Sequence, residues 1–165
     1  MPQLIRCLQD NHWGVRRGAI DALAKLRDGA FREQLPAILE RLNDEDEIPR
    51  TSAVKSLTQL SPHELKVQVP ALTRTLDDPD SSVLYEVMKL CSKGLDPKTL
   101  DGLVPKLLEK LKASEYISEE FAESIVLALS RLNPAALRKH AAAFVSVLQG
   151  LADYAKSRVL RALEK

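Results

Sequence analysis

Apolar residues fall on helical spacings throughout the chain, and the same arrangement returns at a nearly fixed interval. Leu8, Leu42, Leu76, Leu111 and Leu148 mark it, 34, 34, 35 and 37 residues apart. Each marker has an apolar residue four places earlier, Leu4, Ile38, Leu72, Leu107 and Phe144, which puts the two on one face of a helix. Beyond a short polar stretch a second apolar set follows at 11, 12 and 15 residues past the marker: Ala19, Ile20 and Leu23; Ala53, Val54 and Leu57; Val87, Met88 and Cys91. The fourth copy fits if three residues are inserted in its turn, giving Ile125, Val126 and Leu129, and the fifth gives Val159, Leu160 and Leu163. The pattern predicts five helix pairs, each a helix A followed by a helix B, over residues 1–26, 27–60, 61–95, 96–132 and 133–165. One pair cannot cover its own apolar face, so neighbours must stack, and a period of this length marks a solenoid.

Prolines and capping residues agree with these helices. Pro2, Pro36, Pro70 and Pro105 stand six residues before their markers, with Ala142 in the fifth copy. SPHEL at 61, DPKTL at 96 and NPAAL at 133 each set a capping side chain before a proline, whose missing N–H costs nothing at a first helical position. Helix A is expected to begin there, so that Pro70 and Pro105 kink a longer helix. Gly94 suits a helix C-terminus, because glycine accepts a left-handed conformation.

Helix pairs of this length, with proline inside the first helix, aspartate in the turn and Val-Arg opening the second, resemble HEAT repeats of the armadillo-like superhelix. The resemblance is best in "MPQLIRCLQDNHWGVRRGAIDALAKL", with Asp10 and Arg16, and holds in copy two with Asp44 and Arg50. It implies an all-α, right-handed superhelix in which such residues form a ladder between adjacent repeats. Copy three keeps Asp78 but has Leu84 in place of the arginine, so the ladder is expected to stop there. The tryptophan, Gly-Tyr and late-proline pattern of TPR units is absent.

At 165 residues the chain is long enough to bury roughly 70% of its unfolded surface, and needs neither metal nor disulfide to fold. Its 24 basic and 23 acidic side chains leave a formal charge of +1, so any electrostatic signal is local. Cys7 and Cys91 stand in helix-like patterns and read as a reduced pair of an intracellular, most simply cytoplasmic, protein. No membrane span or signal core is present. The array opens on Met1 and Pro2 and closes at Lys165 within helix B, without the polar end caps solenoids need; this is the pattern of a piece of a longer array.

Catalytic motifs are missing. His12, His63 and His140 fall in three turns or linkers, no CxxC or HExxH occurs, and there is no phosphate loop or GxSxG elbow. The acidic runs NDEDE at 43 and DDPD at 77 lack the glycine and terminal glutamate of an EF-hand, and stand just before helix B, where negative charge favours the helix dipole. The expectation is a protein without cofactor, metal or chemistry of its own.

The charge pattern carries the functional reading. Positions 9, 13 and 17 past the marker lie opposite the apolar stripe of helix B. They hold Arg17, Asp21, Lys25; Thr51, Lys55, Gln59; Tyr85, Lys89, Lys93; Glu123, Leu127, Arg131; and Ser157, Arg161, Lys165, with eight basic and two acidic side chains. A helix exposes something polar opposite its core in any case. In the HEAT superhelix, however, the B helices line the concave side, so the resemblance implies a basic groove. Arg17, Lys25, Lys55, Tyr85, Lys89, Lys93, Arg131 and Arg161 are the candidate contacts, for an extended acidic protein or peptide first and for nucleic-acid phosphate second. HEAT-like DNA-repair glycosylases need aromatic and acidic residues converging in the groove, and here only Tyr85, Asp21 and Glu123 are available. Trp13, in the polar turn NHWGV, is a candidate edge contact. It resembles the loop tryptophan of tubulin-binding TOG domains, although the later turns here are acidic where theirs are basic.

Overall fold

The computed structural model describes residues 2–26, 29–113, 119–151 and 153–163. Among these residues there are eleven α-helices and no strand. They run as the predicted pairs: α1 (Pro2–Cys7) with α2 (Trp13–Leu23); α3 (Gly29–Glu40) with α4 (Glu47–Ser56); α5 (Pro62–Val67) and α6 (Val69–Thr75) with α7 (Ser81–Gly94); α8 (Pro97–Ala113) with α9 (Glu119–Ser130); and α10 (Pro134–Gly150) with α11 (Asp153–Leu163). Short 3-10 turns, Arg41–Asn43 and Leu57–Gln59, close α3 and α4. The insertion assigned to the fourth turn falls on residues 114–118, which lie outside the described residues.

Local chemistry sets the helix ends. Ser61 forms a capping box with Glu64 before Pro62, Asn133 accepts from the N–H groups of Ala135 and Ala136, and Asp96 accepts from those of Lys98 and Thr99. Each satisfies donors that the first helical turn leaves open. The internal prolines act differently from one another. Pro36 and Pro105 stay inside unbroken helices, whereas before Pro70 the chain turns out of α5 at Gln68 and restarts as α6. Gly94 does end α7, but not in a left-handed conformation: the following Leu95 is extended. Its lack of a side chain serves packing, because a Cβ there would stand 2.6 Å from Leu65 Cδ1.

One continuous core runs from Leu8 to Val159. The residues at 11, 12 and 15 past the marker are buried in the first three copies, as are Ile125, Leu129 and Val159. Copy five departs from the pattern: Leu160 is 48% exposed, and Phe144 and Leu148 are only half-buried. The Leu163 side chain lies outside the described ones. Successive B helices pack directly on one another, α2 on α4, α4 on α7, α7 on α9 and α9 on α11. Successive A helices are also tied by long charged side chains: Arg32 to Glu64, Asp77 to Lys106 and Lys110 at 2.8 and 2.6 Å, and Asp101 to Lys139 and His140 at 3.2 and 2.6 Å. Hydrogen bonds from Arg32 and Ser61 hold the Glu64 carboxyl down at about 2. His140 therefore belongs to a helix and a buried contact, not to a linker, and His63 lies within α5.

Candidate functional site

The turns between A and B helices carry the predicted ladder. Arg16 donates to both oxygens of Asp44 at 2.9 and 2.7 Å, to Asp46 at 2.7 Å, and to the carbonyls of Asp10 and Asn11 at 2.8 and 3.0 Å. Arg50 repeats the arrangement one copy on, reaching Asp78 at 2.8 and 3.1 Å and the carbonyls of Asp44 and Glu45. Each aspartate also closes its own turn: Asp10, Asp44 and Asp78 accept from the N–H groups of His12, Asp46 and Asp80. Burial pushes the Asp44 carboxyl up, but the Arg16 and Asp46 hydrogen bonds outweigh it and hold the group below the usual carboxylate range. The acidic run at 43 is therefore engaged largely by Arg16; Asp46 makes no side-chain cap to α4. Asp80, by contrast, does cap α7 through Ser82 and Val83.

A second feature lies between α4 and α7, a cleft of about 480 Å³. Val54, Leu60, Leu65 and Leu90 supply its apolar lining, and Lys55, Lys89 and Lys93 its positive charge. Lys89 also lies over the Tyr85 ring, 5.5 Å from its centroid. Glu86 stands between two of the cations, 3.6 Å from Lys55 and 3.7 Å from Lys89. The lysines are exposed or half-buried, while the Glu86 side chain is largely covered.

The predicted contacts are thus sorted by the structure. Four of them, Lys55, Tyr85, Lys89 and Lys93, meet at or beside this cleft. Arg17 pairs along its own helix with Asp21 at 3.4 Å. Lys25 is exposed just past the end of α2, and Arg161 is exposed on α11. Arg131 turns away from any groove: its guanidinium donates to the carbonyls of Ser92 and Leu95, at the C-terminal end of α7, where cations meet unpaired carbonyls. Lys165 lies outside the described residues. Trp13 opens α2, 38% exposed, its ring stacked on His12 with centroids 5.5 Å apart. Sequence reasoning misses Glu86 because it sits one place off the row read as the groove; its spacing of three from Lys89 is legible, but its cross-helix pairing with Lys55 is not.

Residues 1–58 match the family model for HEAT repeats. That segment consists of HEAT repeats. A search of curated proteins finds none that matches the chain. The matched segment is the one that holds Arg16, Asp44 and Arg50, and the stacked helix pairs continue past it in the same order. HEAT repeats generally mediate protein–protein interaction, and the proteins that carry them are typically non-enzymatic scaffolds. Among the described residues of the chain, no group of three or more His, Cys, Asp or Glu side chains is set to hold a metal ion, and no helix is long and apolar enough to cross a membrane. Both thiols are free, and burial pushes that of Cys91 up to about 12.

Proposed function

We propose that this HEAT array is a binding scaffold that takes an extended acidic protein segment along its B helices, with an apolar side chain seated between α4 and α7. The observation that carries this reading is the cleft itself, in which three lysines stand around an apolar lining. An apolar lining alone would favour any hydrophobic segment, and lysines alone would serve solubility; together they select a chain that alternates carboxylates with aliphatic groups. The direct stacking of B helices on one another is how the inner layer of a curved stack packs, which supports a concave position for the cleft. Glu86 competes with an incoming carboxylate for Lys55 and Lys89, so it limits affinity and excludes partners too weak to displace it. The five pairs act as one unit, with the cleft between the second and third.

The test uses a fluorescein-labelled peptide of alternating glutamate and leucine, followed by anisotropy. Reversing Lys55, Lys89 and Lys93 to glutamate is expected to raise Kd about tenfold or more, since it removes three attractions and adds three repulsions of a few tenths to about 1 kcal/mol each. Melting should scarcely move. Glu86→Gln is expected to lower Kd by roughly threefold, on the same magnitudes. The control reverses Arg6, Arg74 and Arg138, which are exposed on A helices; Arg41 is unsuitable because it is mostly covered and donates to Leu8 O and Asp44. Equal loss from both triple variants would reduce the attraction to general charge. Equal binding of single-stranded DNA at the same salt would favour a nucleic-acid partner instead.

A further inference from the structure

The depth of the cleft between α4 and α7 turns on one small residue, and we infer that Gly94 decides which apolar side chain of a partner the cleft admits. The inference rests on the seat proposed above for such a side chain. Glycine is a poor helix former, and no backbone requirement offsets that cost here, since Gly94 ends α7 without entering the left-handed region. What its missing side chain supplies is room. A Cβ would stand 2.6 Å from Leu65 Cδ1 and 3.6 Å from Leu90 Cδ1, and all three residues line the cleft.

The third copy differs from its neighbours at this point. The leucine that precedes each capped proline, Leu60, Leu95 and Leu132, stands 18, 19 and 21 residues past its marker. The excess in the fourth copy is its three-residue insertion, so the third holds one residue more than the second. That residue prolongs the helix: α7 continues to 18 past its marker, whereas α4 stops at 14 and closes in a 3-10 turn. The added length brings Gly94 beside α5, the short helix left by the break before Pro70, and Leu65 fills the space it leaves.

Both walls are held. Leu65 is 1% exposed and part of the continuous core. On the other side the Arg131 guanidinium donates to the carbonyls of Ser92 and Leu95, which flank Gly94 and keep the backbone from backing away. A methyl group at position 94 therefore turns the Leu65 side chain toward the open space beside it, which is the cleft. Lys55, Lys89 and Lys93 are untouched by that change, so the attraction for carboxylates stays while the apolar seat shrinks.

Peptides alike in their glutamates and differing in one central residue, alanine, valine, leucine or phenylalanine, test this by fluorescence anisotropy with the full chain. The wild type is expected to bind the leucine peptide about tenfold more tightly than the alanine peptide, the effect of roughly half-burying the further carbons. Gly94→Ala should melt no lower than the wild type, because alanine is the better helix former. It should bind the alanine peptide unchanged and keep a preference for leucine of about twofold or less, on the same scale. Gly94→Ala combined with Leu65→Val, which nearly conserves volume, should restore the preference, a rescue that general damage to the fold would not give. Leu65→Val alone enlarges the seat and should shift the ratio of phenylalanine to leucine binding about threefold toward phenylalanine; this arm decides the matter should Gly94→Ala fail to fold. The same preference in the wild type and in Gly94→Ala, or one that Leu65→Val fails to restore, would overturn the role of Gly94 and leave the lysine-lined site standing. A wild type that binds none of the peptides would remove that site, and the inference with it.

Discussion

Replacing Arg16 by alanine is expected to lower the unfolding free energy by about 3 kcal/mol, toward the lower end of what an abandoned buried partner costs because the turn lies near solvent. The guanidinium is 4% exposed and its partner Asp44 1%. Removing it leaves a buried carboxylate that has lost its principal cation, together with two turn carbonyls, of Asp10 and Asn11, that lose their donor. Lysine should recover only part of the loss, since it cannot present the planar fork that spans both oxygens of Asp44. Arg50→Ala should cost less, because Arg50 and Asp78 are more exposed, at 13% and 7%. Chemical unfolding monitored by circular dichroism measures the difference. Equal costs at the two arginines would mean that burial does not grade the ladder.

Replacing Leu57 by alanine is expected to cost about 2 to 5 kcal/mol. Leu57 is fully buried in the second pair, which has a repeat on either side, so the site cannot close up by moving one free end. The matched substitution Leu160→Ala removes a side chain of the same size from an exposed place on α11 and should stay within about 0.5 kcal/mol. The contrast between the two leucines, which the hydrophobic pattern treats alike, reads out what stacking contributes. A cost below about 1 kcal/mol at Leu57 would put that residue outside the core.

The pattern of apolar positions foretells the helix pairs because each repeat must solve the same packing problem, and a residue buried for that reason recurs at the same spacing. The Asp-Arg ladder is legible for a related reason: both partners belong to the repeat unit. What the pattern does not reveal depends on position within the stack. Leu160 holds the same place as Ile20 in sequence, but it is 48% exposed where Ile20 is fully buried. Arg131 sits on the same row as Lys93, yet it is drawn onto the end of α7 by carbonyls that no sequence spacing announces. The cleft is only half legible. Its lysines stand on the predicted row, whereas Leu65 comes from a helix of the other layer, brought in where Gly94 leaves room, and Glu86 meets Lys55 only through the stacking of α4 on α7.

Whether a partner lies in that cleft is tested most directly by locating a bound peptide rather than by measuring its affinity. An acidic, leucine-containing peptide carrying a nitroxide at its centre can be added to the isotopically labelled chain and the amide resonances compared before and after reduction of the label. A peptide seated between α4 and α7 produces paramagnetic broadening concentrated on residues 54–60 and 85–94, with the turns near Trp13 and Asp44 spared. Broadening centred on those turns, or spread evenly over the A helices, would contradict a partner site in the cleft.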